Sequence, residues 1–257
     1  MTKELKEKLD KIEDMNELDS ELKRLLNEDN TLEKSLSKYI NKVNKYNKKL
    51  DKARELKKIE LDYLNTYDYV FGIDEVGRGP LAGPVCAACC MMKKESEILD
   101  VDDSKKLTEE TREKLFDIIK SESVKYAVAL ESAETIDERN ILDATFLAMS
   151  KAFNECVKDI PKDKKILVII DGNLKNKYID NEQISIVKGD SKVYSISCAS
   201  IIAKVTRDRI MNELDSKYPE YDFINNKGYG TEKHRKALKE IGPVEGLHRK
   251  TFIKNLI

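Results

Sequence analysis

The chain is poor in the residues that build zinc sites and disulfide frameworks. Its 257 residues include only two histidines and five cysteines. His234 and His248 are too few for a histidine-rich zinc site, and the C-x-x-C pair at Cys86 and Cys89 lacks a second Cys or His pair to complete one. An odd number of cysteines, mostly within apolar runs, fits reduced core thiols better than disulfides.

Long apolar segments are also missing. No run approaches the roughly 18 residues of a transmembrane helix, and the charged N-terminus shows no signal-peptide pattern. We therefore expect a cytoplasmic protein with no membrane partner, and we expect it to be a monomer.

Charge is balanced overall but uneven along the chain. The net charge is −1, yet the first 30 residues sum to −4 and residues 31–59 sum to +7. Because the composition shifts near residue 66, we predict a charged helical N-terminal extension over residues 1–66 and a larger domain over 67–257.

Two apolar stripes predict a helical hairpin in the extension. The first runs from Leu5 to Leu25 at spacings of three and four, and the second runs from Leu32 to Leu56. Between them, Asn30 and Glu33 resemble a capping box. The lysines flanking the second stripe are either a solvated face or a contact for a polyanion.

Beyond residue 66, strand-like and helix-like segments alternate, which indicates an α/β fold. The predicted strands are 69–73, 85–92, 124–130, 165–171 and 184–187. The predicted helices are 108–120, 142–157 and 193–217. Since short links join the first three strands, part of the sheet should be antiparallel.

The most informative stretch is YVFGIDEVGRGPLAGP at 69–84, where a short strand meets two carboxylates and then a loop of glycines and prolines. Neighbouring strand residues point to opposite faces, so Asp74 and Glu75 can serve one site only if the strand ends or bulges there. The loop also exposes backbone N–H groups beside Arg78. This combination suits a metal-assisted reaction on a phosphate ester.

Two other interpretations of this stretch compete with it. An isolated Asp-Glu pair is often a solvated turn. Gly77, Gly79 and Ala82 also match the G-x-G-x-x-A dinucleotide fingerprint, with acidic residues further on at 100–103. That fingerprint needs a helix starting in the glycine turn, whereas the Gly-Pro at 83–84 interrupts such a helix.

Four carboxylates lie at or just past strand ends: Asp74, Glu75, Asp171 and Asp190. If these strands are neighbours, the acids converge at one edge of the sheet. Their mutual repulsion would raise their pKa values, so the arrangement implies a divalent cation. Ligands that are all oxygen favour Mg²⁺ or Mn²⁺.

Seven motifs now carry a family resemblance, in the family's order and over roughly residues 69–253. They are GIDEVGRGPLAGP (72–84), DDSKKL (102–107), Asp-Gly (171–172), KGD (188–190), ASIIAKVTRDR (199–209), NKGYGTEKH (226–234) and HRKTF (248–252). The chain resembles bacterial ribonuclease HII. The resemblance implies a ribonuclease H-like fold, a mixed five-stranded sheet flanked by helices. It also implies hydrolysis of the RNA strand in RNA/DNA hybrids and nicking 5′ of single ribonucleotides in duplex DNA.

Carried over by position, the resemblance makes Asp74, Glu75, Asp171 and Asp190 the catalytic acids, holding two Mg²⁺ or Mn²⁺ ions during catalysis. The implied substrate-binding residues are Gly77, Arg78, Gly79, Ser104, Lys105 and Tyr229. The Gly-Arg-Gly element is expected to contact the ribonucleotide 2′-hydroxyl and adjacent phosphate, and the tyrosine to stack on the neighbouring deoxyribose. The serine and lysine suit a phosphate contact.

The resemblance has limits. Val193 replaces a serine common in the family, which puts a local polar contact in doubt. Asp208 is expected to pair with Arg207 or Arg209 rather than with metal. Ribonuclease HIII usually has a glutamate as its fourth acid, so Asp190 argues against that sister family. A noncatalytic protein that binds RNA/DNA hybrids is the alternative function.

Overall fold

The computed structural model describes residues 2–101 and 104–256. The chain divides into two compact units, Met1–Glu55 and Leu56–Ile257. The division falls inside a long helix rather than at the predicted boundary between residues 66 and 67.

The first unit is helical, but the predicted single first helix is wrong. The helices are α1 (Lys3–Asp10), α2 (Met15–Glu28) and α3 (Glu33–Tyr63), the last of which continues into the second unit. The apolar spacing runs on through residues 11–14, yet the Asp14 carboxylate accepts the backbone N–H groups of Asn16 and Glu17 and so caps a new helix. Before α3, it is Asp29 rather than Asn30 that caps the intervening 3₁₀ turn.

The second unit contains a five-stranded mixed sheet, as predicted. Its strands are β1 (Tyr69–Val76), β2 (Val85–Met92), β3 (Ser123–Glu131), β4 (Ile166–Asp171) and β5 (Glu182–Ile186). The strand order is β3-β2-β1-β4-β5. The first three strands pair antiparallel, whereas β1–β4 and β4–β5 pair parallel. The central position of β1 brings the predicted acidic strand ends side by side.

Helices α6 (Ile141–Val157) and α7 (Tyr194–Lys217) cover the faces of this sheet. The other helices after α3 are α4 (Glu109–Glu122), α5 (Ala133–Arg139), α8 (Phe223–Asn226), α9 (Glu232–Ile241) and α10 (Lys250–Ile253). Phe71 of β1 packs edge-to-face on Phe153 of α6, with ring centroids 5.8 Å apart. Val70, one position earlier, packs with Ile196 of α7. Because strand side chains alternate, α6 and α7 lie on opposite faces.

The last turns of α3 belong to the second unit. The buried Lys57 ammonium donates to the backbone carbonyls of Lys93, Lys94 and Ser96. Glu60 accepts the backbone N–H of Ser195 in the first turn of α7, at 2.7 Å. Burial raises the pKa of Glu60 to about 7. Residues 56–63 are thus part of the domain that carries the sheet.

Across residues 2–101 and 104–256, no helix combines the length and apolarity needed to span a bilayer.

Candidate active site at the edge of the sheet

The two adjacent acids sit inside β1 rather than after it. Asp74 and Glu75 pair with Ala88 and Ala87 of β2, so the expected strand end at residue 73 is wrong on that side. Pairing with β4 does stop at Ile73. β1 therefore extends beyond the end of its parallel neighbour β4. Asp74 and Glu75 lie next to that end.

Three of the four predicted acids come together there. One carboxylate oxygen from each of Asp74, Glu75 and Asp171 lies within 4.8 Å of the others. Asp171 is the last residue of β4, and Asp74 is buried, with 5% of its surface exposed. Carboxylate oxygens this close can together ligate a hard divalent cation.

Asp190 lies beside this group but outside it. It occupies a 3₁₀ turn, Gly189–Ser191, ahead of α7. The Gly189 N–H donates to Asp171 Oδ1 at 2.6 Å, which ties the turn to the acid cluster. The Asp190 carboxylate lies 3.8 Å from the Lys105 ammonium.

The electrostatics of the cluster favour cation binding. Burial, and then the neighbouring Glu75 charge, raise the pKa of Asp74 well above its usual value, although a hydrogen bond from Ser200 opposes the shift. Burial also raises the pKa of Glu75, against the lowering effect of Arg78, whose guanidinium lies 3.2 Å away. Within the described residues, Glu75 Oε2 is buried without a hydrogen-bond partner. The site thus fits a divalent cation, which would stabilise both charges and engage the unpaired oxygen.

A cavity of about 320 Å³ opens onto Asp74 and Glu75. Its wall brings Ser104, Lys105 and Tyr229 next to these acids, so three of the predicted substrate-binding residues share one cavity with them. Asp102 and Asp103 of the DDSKKL motif lie outside the described residues.

Three further polar residues of this cavity were missed in the sequence: Arg112, Ser200 and Lys204. Ser200 Oγ lies 2.9 Å from Ser104 Oγ, so the predicted Ser104 is linked through it toward Asp74. Ser200 and Lys204 are four residues apart in α7, a spacing that puts both on one helix face and could have identified them.

The expected pairing of Asp208 is wrong. Its carboxylate binds Lys204 at 2.6 Å and Arg112 at 3.6 Å. Arg209 instead pairs with a glutamate of α4, and Arg207 donates to backbone carbonyls. The reason is helical spacing: Lys204 lies one turn before Asp208 on the same face of α7, whereas the sequence neighbours Arg207 and Arg209 point to other faces.

The loop from Gly77 to Pro84 is held from beneath by two fully buried arginines. Arg249 donates to the carbonyls of Gly77, Arg78 and Gly83. Arg207 donates to the carbonyls of Ala82 and Pro84, and to that of Lys227. β2 follows this loop at once, so the helix required by a dinucleotide fingerprint is replaced by a strand.

Tyr229 stands at the rim of the cavity, with 47% of its surface exposed. It adjoins the glycine loop: a Cβ at Gly79 would lie 3.4 Å from Tyr229 Cε1. The predicted loop and the predicted tyrosine therefore form one surface.

Two buried histidines support the backbone of Tyr229. The Val244 N–H donates to His248 Nδ1 at 2.9 Å, which leaves the proton of neutral His248 on Nε2. That proton faces His234 Nε2 at 3.0 Å, so His234 carries its own proton on Nδ1 and donates it to the Tyr229 carbonyl at 2.9 Å. The chain of bonds is complete only when both rings are neutral.

Val193, the departure from the family pattern, is fully buried. It precedes the first residue of α7, makes no side-chain capping bond and packs with Leu167 and Ile169 of β4. The side chain of Val193 thus contributes apolar packing at the start of α7.

Comparison with known proteins gives one consistent result. The family model for ribonuclease HII matches residues 71–255. A ribonuclease HII from Fusobacterium nucleatum is 50% identical over 199 residues, covering 77% of this chain and 90% of that protein. Another from Clostridioides difficile is 49% identical, covering 76% of this chain and 74% of that protein. The crystal structure of ribonuclease H2 from Pyrococcus horikoshii OT3 is 27% identical with a TM-score of 0.60, over 73% of this chain and 96% of that one.

Proposed function

Because the chain belongs to the ribonuclease HII family, and is therefore a ribonuclease acting on RNA/DNA hybrids, we propose that it also nicks duplex DNA 5′ of single embedded ribonucleotides. The products would carry a 5′-phosphate and a 3′-hydroxyl. The observation that carries this proposal is the meeting of the Asp74, Glu75 and Asp171 carboxylates next to Arg78 of the glycine loop.

The four acids have distinct positions in the proposed mechanism. Asp74, Glu75 and Asp171 would hold the cation, and Glu75 contributes an oxygen that has no protein partner in the described residues. Asp190 would join as the fourth acid, a role supported by the bond from neighbouring Gly189 to Asp171. When bound, two Mg²⁺ or Mn²⁺ ions supply activation of a water nucleophile and charge stabilisation at the departing 3′ oxygen.

Substrate recognition would fall to the surrounding groups. Lys105, Arg112 and Lys204 give the cavity a cationic wall suited to phosphate oxygens. Ser104 is buried and bonded to Ser200, so it would act mainly by fixing that wall. The Gly77-Arg78-Gly79 backbone and the Tyr229 ring would read the sugar at the junction.

Cleavage of two labelled duplexes tests this function, one with a single ribonucleotide and one with a continuous RNA strand. With Mg²⁺ or Mn²⁺ we expect both to be cut, the first at one position, and EDTA should abolish both reactions. Tight binding without metal-dependent cleavage would instead support the noncatalytic alternative.

We also propose that residues 1–55 are an accessory unit that adds phosphate contacts. The support is the lysine-rich exposed surface of α3 within that unit. Removing residues 1–55 should leave the cleavage rate within about threefold. It should weaken duplex binding and make the remaining affinity less dependent on salt concentration.

Removing residues 1–66 should also lower the thermal midpoint sharply, because the buried partners of Lys57 and Glu60 then lose their hydrogen bonds. Equal behaviour of the two truncations would contradict this division.

A further inference from the structure

Arg249 is a buried cation whose hydrogen bonds go to one short piece of backbone. Its side chain is fully buried. Nη2 donates to the Gly77 carbonyl at 2.6 Å, and Nη1 donates to the Arg78 carbonyl at 3.0 Å. Nε and Nη2 also reach the Gly83 carbonyl, at 3.1 and 2.8 Å. The guanidinium therefore fixes two successive peptide groups of the Gly-Arg-Gly element.

The planarity of the peptide group determines where the Arg78 and Gly79 N–H groups point. In a planar trans peptide, the C=O of one residue and the N–H of the next point in opposite directions. The Gly77 carbonyl shares its peptide with the Arg78 N–H, and the Arg78 carbonyl shares its peptide with the Gly79 N–H. With both carbonyls on Arg249, both N–H groups must point away from it.

The two N–H groups are available to a ligand. Arg78 and Gly79 are exposed, whereas Gly77 is buried. In the part of the chain that the structure describes, neither N–H has a hydrogen-bond acceptor. Gly79 also borders the Tyr229 ring, which lines the cavity of the acids. Two unpaired donors thus point away from Arg249, in an exposed part of the loop that borders the Tyr229 ring.

We propose that Arg249 is a positioning residue for ribose selection: it turns the Arg78 and Gly79 N–H groups outward, where they bind the 2′-hydroxyl oxygen and the adjacent phosphate. This inference rests on the proposed function. An arginine suits the task because its planar fork offers five donors in fixed directions, enough to hold several carbonyls together. A lysine keeps the charge but is a single point donor, so it cannot fix both peptides.

Arg207 provides a matched control. It is equally buried and also donates to three carbonyls, but these belong to Ala82, Pro84 and Lys227 rather than to the Gly-Arg-Gly element. Arg207→Lys therefore removes a similar clamp from the same loop without releasing the two peptides held by Arg249.

The experiment compares Arg249→Lys and Arg207→Lys in the full chain. Affinity is measured in EDTA, where the proposed reaction cannot proceed, for a DNA duplex with one ribonucleotide and for the same duplex made entirely of DNA. We expect the unchanged protein to prefer the ribonucleotide duplex about tenfold, the value of one or two hydrogen bonds. Arg249→Lys should reduce this preference to within about twofold of unity, and Arg207→Lys should keep it even if its thermal midpoint falls as far. Loss of preference in both variants, or retention in Arg249→Lys, overturns the proposal.

A second measurement needs no substitution at Arg249 and stands if that variant fails to fold. Amide hydrogen exchange at Arg78 and Gly79 is followed by NMR in EDTA, with each duplex bound. The proposal requires protection by the ribonucleotide duplex well above that by the all-DNA duplex, and equal protection overturns it. Metal-dependent cleavage by the unchanged protein is scored separately, so failure of the proposed function is distinguished from failure of this inference.

Discussion

The acid cluster and the glycine loop lie next to each other and are built on opposite principles. In the cluster, the buried Asp74 and the half-buried Glu75 are like charges with raised pKa values, and Glu75 Oε2 has no hydrogen-bond partner among the described residues. In the loop, Arg249 and Arg207 donate hydrogen bonds to several backbone carbonyls, and these bonds fix the backbone. The first region stores unfavourable electrostatic energy that a cation can relieve, while the second is rigid before any ligand arrives.

This difference predicts how each region responds to substitution. A neutral, isosteric replacement in the cluster should remove chemistry and leave the fold intact or stronger. A replacement in the loop should lower stability where the added atoms meet the protein. It should lower activity where the added atoms meet only the substrate.

The largest effect is expected for Asp74→Asn. Loss of a charged ligand should lower cleavage by more than about 1,000-fold, since the acid's role is to hold the catalytic cation. In EDTA the same change should raise the thermal midpoint by about 2–4 °C, equivalent to about 1 kcal/mol, because it removes a buried charge beside Glu75. Steady-state cleavage and thermal unfolding measure the two effects.

Asp208→Asn is the control for that stability claim. Asp208 is also buried, but it binds two cations, Lys204 and Arg112, so its neutralisation should lower the thermal midpoint. If both substitutions shift the midpoint in the same direction, the cluster does not store repulsion.

The next prediction contrasts Gly79 and Gly77 of the loop, which should respond differently to substitution by alanine. A methyl group at Gly79 meets only Tyr229, in ordinary contact, so Gly79→Ala should cost less than about 1 kcal/mol of stability. It should nevertheless lower kcat/KM on a single-ribonucleotide duplex about 50-fold, because the methyl intrudes where the sugar sits. Denaturant unfolding and kinetics of the same preparation test both statements.

Gly77→Ala should instead lower stability more than Gly79→Ala does. Gly77 has φ of +90°, and a Cβ there would lie 2.3 Å from Arg207 Nε. The expected loss of stability is about 2–3 kcal/mol. A Gly79→Ala variant that unfolds as readily as Gly77→Ala would contradict the idea that Gly79 is reserved for substrate.

The third effect concerns pH and the support of Tyr229. Burial lowers the pKa of His248 to about 4, from an ordinary 6.5. The unfolded chain therefore binds a proton between these values that the folded chain excludes, so stability falls as pH drops through this window. His248 alone should lower the stability by about 2 kcal/mol between pH 7.5 and pH 5. Glu60, whose pKa is raised by burial to about 7, acts in the opposite direction over the same range.

His248→Gln tests the origin of this slope, since glutamine binds no proton in the same range. Relative to the unchanged protein, the variant should gain about 2 kcal/mol of stability as the pH falls from 7.5 to 5. Asp74 and Glu75 of the cluster cannot mimic the effect, because their raised pKa values make the folded state bind their protons more readily and give the opposite sign. An unchanged slope would assign the pH dependence to other groups.

Local patterns in the sequence were enough to predict the sheet and the meeting of three carboxylates, Asp74, Glu75 and Asp171, at its edge. The β-branched runs of β1, β2 and β4 and the apolar spacing of α6 and α7 reflect burial on two faces, which a single chain displays directly. Asp171 could be predicted because it follows such a run. The short helix α9 was not predicted, although Thr231 caps it and its three buried residues lie on one face.

What the sequence could not supply is contact over long separations. Arg249 reaches Gly77 from 172 residues away, and no spacing rule connects them. The break between α1 and α2 was missed for a different reason: the apolar spacing continues through it, and the cap at Asp14 overrides it.

The central claim is that chemistry and ribose selection reside in separate neighbouring regions. The most direct test measures, in EDTA, the preference of Asp74→Asn and Gly79→Ala for a duplex with one ribonucleotide over its all-DNA counterpart. The account predicts that Asp74→Asn keeps the preference of the unchanged protein while lacking metal-dependent cleavage, and that Gly79→Ala loses it. Loss of preference in Asp74→Asn, or its retention in Gly79→Ala, would contradict the account.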